Sequence, residues 1–300
     1  MNASDALQDK TPQVAGWIWR CEGWEGAMVD LTIAILTYNG EHLLPAAVAS
    51  VDRQALPADI TMEKLIVDNG SHIPVLAPTG WRVERLPQNG GNIMGTNWCL
   101  RAAQGLWVLF LANDVRLHTG CISRLWACRR FADQGLLQPI LYQPDGKMDH
   151  AGMDWRWPGY GIRRRRFTSH VTQVVPNTCW LAPRDLVWFD HTLGISHEDV
   201  DVCLRLSREG HQHYVCPTAT ATHLMGQTIA THVKELQPYY RKARRIVIVD
   251  HYQGMDRLLR LAAVQGVEAV QGLVSHVPWI GRRGTHSRGA TPGASSPDSG

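Results

Sequence analysis

The sequence predicts an α/β fold in which a mostly parallel sheet is flanked by helices. Apolar strand-like runs alternate with segments of helical periodicity from residue 31 onward, and polar residues directly follow three of the runs. This alternation is typical of βαβ units, whose parallel strands are buried on both faces. With 300 residues, 44% of them hydrophobic, the chain is long enough to form a sizeable core.

The alternation is clearest in the first half of the chain. We predict strands over 31–37, 63–68, 81–86 and 106–112, and helices over 41–52 and 93–105. Pro45 falls in the first turn of its helix, where a missing N–H is tolerated. Gly105 is expected to close the second helix. In such sheets ligands bind beyond the carboxyl ends of the strands, so the site is expected there.

The second half is less regular. We predict helices over 119–134 and 197–210, short strands around PILYQ and MDHAGMDW, and a long basic helix over about 232–266. The predicted organisation is an extension over 1–29, a main domain over 30–231 with halves 30–117 and 118–231, a helical segment over 232–280 and a tail over 281–300. The tail is rich in Gly, Ser, Pro and Thr, and this composition predicts disorder.

Composition and charge argue against several classes of protein. A net charge of +3 is too small to indicate nucleic-acid binding by itself. The seven cysteines are scattered, with no CxxC pair, which indicates reduced thiols. No window approaches the roughly 18 apolar residues of a membrane span, and the first residues lack a signal-peptide pattern. We therefore expect a cytoplasmic protein.

Polar clusters follow three of the predicted strands. Thr37, Tyr38 and Asn39 end the first strand, Asp68 and Asn69 end the second, and Asn113 and Asp114 end the fourth. Each cluster alone suits a turn, but together they predict a site for a nucleotide at one edge of the sheet. The segment QNGGNIMGTN adds Asn89, Gly91, Asn92 and Asn97 at a helix start. Glycines there allow close backbone approach, and a helix N-terminus favours phosphate.

Three acids crowd the start of the later helix in SHEDVDVCLR. Ser196 and Asp199 have the spacing of a capping box, and the helix dipole stabilises acids in a first turn. Capping does not explain why Glu198, Asp199 and Asp201 lie so close together, because like charges raise one another's pKa. A carboxylate with a raised pKa suits a general base.

The ordered motifs TYN, VDNGS, NGGNIMGTN, LAND, HEDVDVCLR and THLMGQT span roughly residues 31–230. In order and spacing they resemble glycosyltransferase family 2, and they are most similar to its rhamnosyltransferase-like members. The resemblance implies a GT-A fold, with a Rossmann-like nucleotide-binding half fused to an acceptor-binding half. It also implies inverting transfer from a UDP- or dTDP-sugar to a glycan or lipid-linked acceptor, with Mg²⁺ or Mn²⁺ as cofactor.

The resemblance also implies roles for individual residues. The donor-binding residues would be Thr37, Tyr38, Asn39, Asp68, Asn69, Asn89, Gly91, Asn92, Asn97 and Asn113. Asp114 and His223 would hold the cation, while Asp199 would deprotonate the acceptor hydroxyl with Glu198 in support. Ala112 departs from the family pattern, because the first position of the LAND motif usually offers a polar oxygen.

The resemblance places the acceptor cleft at residues 145–167. Trp155 and Trp157 alternate with Arg156, so both rings would face one side of a strand. Together with Trp180 they are the candidate acceptor contacts, although core packing is the simpler use of a tryptophan. The arginine run 163–166 would meet a phosphorylated or lipid-linked acceptor, or form a solvated loop.

Several alternatives stay open at this level. The basic C-terminal helix would either lie on an anionic membrane surface or pack back on the domain. A catalytically degenerate nucleotide-sugar-binding protein is the main functional alternative, because of Ala112. A nucleic-acid binder using the arginine run is disfavoured by the near-neutral charge, and no nucleic-acid partner is expected. A sugar-1-phosphate nucleotidyltransferase would need a Gly-rich loop with a basic residue after the first strand, which is missing here.

Overall fold

The computed structural model describes residues 29–55, 60–131, 135–224 and 233–275. A ten-stranded sheet with helices on both faces runs through them, which confirms the predicted α/β class. Nearly all of the predicted N-terminal extension, and the whole predicted tail, lie outside the described residues. The predicted boundaries between the domains stay predictions.

The first half of the chain forms β1 (Val29–Thr37), α1 (Leu44–Asp52), β2 (Met62–Asp68), β3 (Arg82–Arg85), α2 (Gly91–Ala102) and β4 (Gly105–Ala112). The second half forms β5 (Val115–Leu117), α3 (Cys121–Cys128), β6 (Leu137–Tyr142), β7 (Met148–His150), β8 (Met153–Arg156), β9 (Tyr160–Arg163), β10 (Val171–Thr172), β11 (Cys179–Pro183), α4 (Glu198–Arg208), β12 (His213–His223), α5 (Val233–His251) and α6 (Gly254–Ser275).

The strand order brings the predicted site together. It is β10-β12-β6-β11-β4-β1-β2-β3, with β5 on β12, β7 on β6, and β8 and β9 forming a separate hairpin. β1 is parallel to both β2 and β4, and Thr37 lies opposite Asp68. The antiparallel pairing of β12 with β5 sets His223 opposite Val115. Because parallel strands end at one edge, residues from β1, β2, β4 and the end of β12 meet there.

The core lies on both faces of the sheet. Successive side chains of a strand point to opposite faces, so Ile33 and Leu109 join one apolar cluster with α1 and α3. Ala34 and Phe110 join the other cluster, which includes side chains of α2, α4 and α5. Burial on both faces explains why β1 and β4 are continuous apolar runs rather than alternating ones.

Two predicted helix boundaries are wrong. Gly105 does not close α2; it begins β4, where a side-chain carbon would collide with the backbone nitrogen of Thr32. The helix predicted over about 232–266 is two helices, which are separated before Gly254, a residue with φ +55°. A positive φ is readily adopted by glycine and interrupts the helical geometry.

The helix α5 packs back onto the domain. Ala243, Val247 and Ile248 are fully buried, and the first two belong to the core cluster shared with α4. His251 Nε2 lies 2.7 Å from Asp201 Oδ1, which ties the end of α5 to α4. No helix within the described part of the chain is long and apolar enough to cross a bilayer.

Candidate active site

The ends of β1, β2 and β4 are joined by side-chain hydrogen bonds. Asn113 Nδ2 donates to Thr37 Oγ1 over 2.8 Å, and the Asn39 N–H donates to Ser71 Oγ over 2.9 Å. A side-chain carbon at Gly40 would collide with both Asn113 Nδ2 and Thr37 Oγ1, so this close approach requires glycine. The three polar clusters that the sequence placed at strand ends therefore form one surface.

Asp68 shapes the loop that follows β2. Its side chain is fully buried, and it accepts hydrogen bonds from Ser71 N at 2.8 Å, from Val75 N at 3.3 Å and from the Arg85 guanidinium. Burial alone would raise the pKa of Asp68, but these hydrogen bonds outweigh it and lower the pKa. The structure places Asp68 beneath the expected donor site, with its carboxylate already bound by the protein.

Two asparagines hold the N-terminal end of α2. Asn69 Oδ1 accepts from Gly90 N at 3.0 Å, and its Nδ2 donates to Asn89 Oδ1 at 3.1 Å and Gly91 O at 3.0 Å. Gly91 has φ +80°, a conformation that favours glycine. The arrangement fixes a helix N-terminus beside the strand ends, where free N–H groups suit a phosphate.

A second asparagine bridge joins α2 to α4. Asn92 Nδ2 donates to Glu198 Oε1 over 2.7 Å, and Asn177 Nδ2 donates to the same oxygen over 3.2 Å. Trp180 Nε1 donates in turn to Asn177 Oδ1 over 2.9 Å. Trp180 is fully buried and stacks on Phe110, with ring centroids 5.3 Å apart. Trp180 therefore supports this bridge from the core and presents no exposed ring to an acceptor.

Both polar atoms of the Asn97 side chain bind the protein backbone. Its Nδ2 donates to Phe189 O over 2.8 Å, and its Oδ1 accepts from Phe189 N over 3.0 Å. Both ends of the amide thus bind one backbone unit on the segment before α4. The structure gives Asn97 a positioning contact where the resemblance implied a donor contact.

The acid pair Glu198 and Asp199 begins α4. Glu198 is only 5% exposed, and burial together with the neighbouring Asp199 charge raises its pKa. Burial also raises the pKa of Asp199, against the lowering effect of backbone N–H groups and of the Arg163 charge. Raised pKa values are what the sequence predicted for this cluster. The third acid, Asp201, turns away from the pair.

The capping-box interpretation of Ser196 and Asp199 is wrong. The N-cap residue is His197, in the left-handed conformation with φ +65°, and no side chain caps the helix. Ser196 Oγ instead binds His197 Nδ1 at 2.7 Å. Asp199 Oδ1 accepts from the N–H of Val200 at 2.8 Å. Asp199 is therefore not held in a reciprocal cap.

Acidic and basic side chains alternate in a second group of contacts at the site. His223 Nε2 lies 3.3 Å from Asp114 Oδ2, and its Nδ1 lies 2.9 Å from Asp149 Oδ2. Arg163 Nη1 binds both oxygens of Asp149, at 2.9 and 3.1 Å. Burial lowers the pKa of His223, but hydrogen bonds to the two carboxylates outweigh this and raise it to about 9.

Asp114 and His223 fit a divalent cation. An oxygen and an imidazole nitrogen face one another across 3.3 Å, and a cation of this kind often takes only one or two protein ligands beside phosphates and water. Within the described ranges, no group of three or more His, Cys, Asp or Glu side chains is arranged to hold a metal. Ala112 contributes no oxygen, as its side chain dictates.

Arg163 connects the two sides of the site. Its guanidinium binds Asp149, and its charge partly opposes the rise that burial causes in the pKa of Asp199. The bond from Asn92 to Glu198 ties the same acid pair to α2. The residues from β4, β7, α2, α4 and β12 thus belong to one connected cluster.

The predicted acceptor tryptophans separate. Trp155 is 6% exposed, and its ring meets that of His197 edge-on at 5.8 Å. Trp157 is 60% exposed and lies beyond the end of β8, so the two rings do not share a strand face. The arginine run also divides, because Arg164 binds Asp154 while the next two arginines are exposed.

Sequence reasoning missed Asp149 and Asn177, and it assigned Arg163 only to an arginine run. Asp149 lies in the short strand predicted around MDHAGMDW, where nothing in the pattern distinguishes it from a surface acid. Arg205, on the helix α4, binds the segment before that helix. Among the described residues, its guanidinium contacts are the carbonyl of Trp188, at 2.6 Å, and the ring of that residue.

The sheet edge, the helix N-terminus, the Asp–His pair and the buried acid pair together define a GT-A-type α/β protein. The family model described as glycosyl transferase family 2 matches residues 32–189, more than half of the chain. The chain belongs to this family. No curated protein matches the sequence.

Solved structures share the fold at low sequence identity. A crystal structure of GalNAc-T7 with UDP, GalNAc and Mn²⁺ has a TM-score of 0.56 and 15% identity, over 85% of this chain and 59% of that one. S. aureus TarS 1-349 with UDP has a TM-score of 0.52 and 17% identity, and the match covers 83% of this chain and 76% of that one. The complex of TarS 1-349 with UDP-GlcNAc has a TM-score of 0.51 and 16% identity, and the match covers 75% of this chain and 68% of that one. The chain thus spans under two thirds of the GalNAc-T7 structure. At these identities the likeness concerns the fold.

Proposed function

We propose that the chain is an inverting glycosyltransferase that moves a sugar from a UDP- or dTDP-sugar to a hydroxyl of a glycan or lipid-linked acceptor. One observation carries this proposal. A carboxylate pair with raised pKa values and an Asp–His pair suited to a cation belong to one connected cluster at the carboxyl edge of the sheet. Membership of the family supplies the class of reaction.

The acid pair supplies the general base. Asp199 accepts the proton of the acceptor hydroxyl as that oxygen forms a bond to the anomeric carbon and the bond from this carbon to the diphosphate breaks. Glu198 is held by Asn92 and Asn177. Burial raises the pKa of both acids, and the Asp199 charge adds to the rise at Glu198. Displacement in a single step inverts the anomeric configuration.

The donor binds along the strand ends. Thr37, Tyr38 and Asn39 face the nucleoside, with Asn113 holding Thr37 in place. The N-terminal end of α2, fixed by Asn69 and Asn89, faces the diphosphate. Asp114 and His223 would hold Mg²⁺ or Mn²⁺, and such a cation would supply positive charge against the leaving diphosphate.

The geometry adjusts three of the roles that the resemblance implied. Asp68 and Asn97 act through the loops they brace, because their polar atoms already bind the protein. Trp180 acts from the core. Trp157 is the exposed candidate for acceptor contact, and Trp155 lines the wall beside His197. The proposed donor follows the neighbours with UDP, and the rhamnosyltransferase-like subtype stays a prediction.

A donor screen tests this function. We expect UDP- or dTDP-sugars to raise the melting temperature in the presence of Mn²⁺, because a ligand that binds the native state stabilises it by mass action. Release of the nucleoside diphosphate with a glycan or polyprenyl-phosphate acceptor panel then measures turnover. Donor binding without turnover of any acceptor would favour the degenerate binding protein suggested by Ala112. No stabilisation by any sugar nucleotide would contradict the proposal.

A further inference from the structure

The imidazole of His223 is held from both sides. It closes β12, is 8% exposed, and has a carboxylate within bonding distance of each ring nitrogen. The Nε2 atom faces Asp114, on the predicted cation side. The Nδ1 atom faces Asp149, which was not among the residues expected at the site.

Asp149 is rigidly placed. It is completely buried on β7, a strand that pairs with β6, and β6 in turn pairs with β12. Arg163 binds both of its oxygens. The carboxylate therefore cannot rotate freely, and the side of it that meets His223 is fixed by three adjacent strands.

We propose that Asp149 is a positioning residue for the cation site. It accepts the Nδ1–H of His223 and so holds the ring with Nε2 directed to the space beside Asp114. A histidine that ligates a metal usually donates its other ring N–H to such a carboxylate, which fixes the tautomer and the ring orientation. To hold a cation, Nε2 would have to be free of its proton, because the neutral imidazole is the form that binds metals. This inference rests on the cation of the proposed function.

A neighbouring ion pair provides the matched comparison. Asp154 on β8 binds Arg164 as Asp149 binds Arg163, but its other side-chain partner within the described part of the chain is a second arginine, Arg156. If Asp149 served only to anchor an arginine, replacing either acid would have the same kind of effect. Of these two acids, Asp149 is the one that contacts His223, whose other ring nitrogen faces Asp114, the second candidate ligand of the cation.

The experiment compares Asp149→Asn with Asp154→Asn and wild type. Binding of Mn²⁺, alone and with UDP, is measured by electron paramagnetic resonance. The protonation and tautomer of the His223 ring are measured by ¹⁵N NMR of the metal-free protein, over a pH range that extends above the raised pKa of about 9. We expect Asp149→Asn to weaken Mn²⁺ binding about 10- to 100-fold and to shift the His223 ring resonances. Asp154→Asn should change neither.

Each outcome separates the inference from the function on which it rests. Unchanged Mn²⁺ affinity in Asp149→Asn overturns the positioning role and leaves the proposed transfer reaction standing. Absence of Mn²⁺ binding in wild type overturns the cation and the positioning role together. Failure of the donor screen, with the Mn²⁺ results as expected, overturns the transfer reaction alone. Should Asp149→Asn not fold, Asp149→Glu keeps the charge but displaces the carboxylate, and the same loss of affinity is expected.

Discussion

Two buried carboxylates within one cluster have opposite properties. Asp149 is compensated by Arg163 and His223, and although burial raises its pKa, these partners lower it to about 2. Glu198 is also buried, but its neighbour is another acid, and burial together with the Asp199 charge raises its pKa. Burial raises the pKa of both groups, and at Asp149 the positively charged partners outweigh it.

The difference separates stability from reactivity. Asp149 favours its ionised form in the fold, so its stabilising contribution is present above the ordinary pKa near 3.8 and is lost as the pH falls toward about 2. Glu198 favours its neutral form, so its contribution is lost as the pH rises from the ordinary 4.5 through the raised pKa. At neutral pH the ionised Asp149 therefore stabilises the fold. The environment of Glu198 instead gives a carboxylate whose raised pKa suits proton transfer.

Replacing the base gives the largest expected effect. Asp199→Asn removes the proton acceptor but keeps the shape, so transfer should fall by about 10²- to 10⁴-fold. Donor affinity, measured by calorimetry, should stay near that of wild type, because Asp199 acts on the acceptor. Asp201→Asn is the control on the same helix, since Asp201 binds His251 outside the acid pair. Transfer at the wild-type rate in Asp199→Asn would refute the assignment.

Removing the positive charge of Arg163 should affect both the stability of the fold, through Asp149, and the activity, through Asp199. Arg163→Gln leaves the buried Asp149 with His223 as its remaining positively charged partner, which should lower the free energy of unfolding by about 1 to 3 kcal/mol. It also removes a charge that lowers the pKa of Asp199, so the acid limb of the activity profile should move to higher pH. Denaturant unfolding and pH–rate profiles measure the two effects. Arg165→Gln, an exposed neighbour, should change neither, and equal effects in both variants would contradict the link.

The comparison predicts a change of opposite sign at Glu198. Glu198→Gln keeps an oxygen for Asn92 and Asn177 but removes a charge that the fold disfavours. We expect it to be more stable than wild type by about 2 kcal/mol at pH 8, with the difference vanishing below pH ~4.5, where wild type is also neutral. Asp149→Asn should be less stable than wild type at the same pH. Destabilisation of both variants at pH 8 would break the comparison.

Local features of the sequence predicted much of the fold and the meeting of the polar strand ends at one edge of the sheet. The strands β1, β2 and β4 were predicted within two residues of their observed bounds, because strands buried on both faces are continuous apolar runs. The polar strand ends converge because parallel strands share an edge, a rule that needs only strand order. The direction of the pKa shifts at the start of α4 was predicted from adjacent acids, but their main cause is burial, to which the Asp199 charge adds at Glu198.

The rest depends on contacts between residues distant in the chain. Asp149 meets His223 across 74 positions and Asn92 meets Glu198 across 106, and neither spacing has a sequence pattern. Position alone does not show whether a polar residue faces ligand or protein. Asn97 sits on the expected helix start, yet it binds the backbone of Phe189.

The smallest expected effect tests whether charge alone distinguishes the two sides. Tyr240 on α5 has its ring 6.4 Å from that of His197, and burial together with the Glu198 charge raises its pKa. Its phenol is therefore neutral at the pH of the reaction and cannot compensate the acid pair. Tyr240→Phe should leave the acid limb of the activity profile unchanged, whereas Tyr240→Lys adds a cation and should move that limb to lower pH by up to about one unit. If Tyr240→Lys leaves the limb in place, charge compensation does not set the pKa of the pair, and the contrast with Asp149 needs another cause.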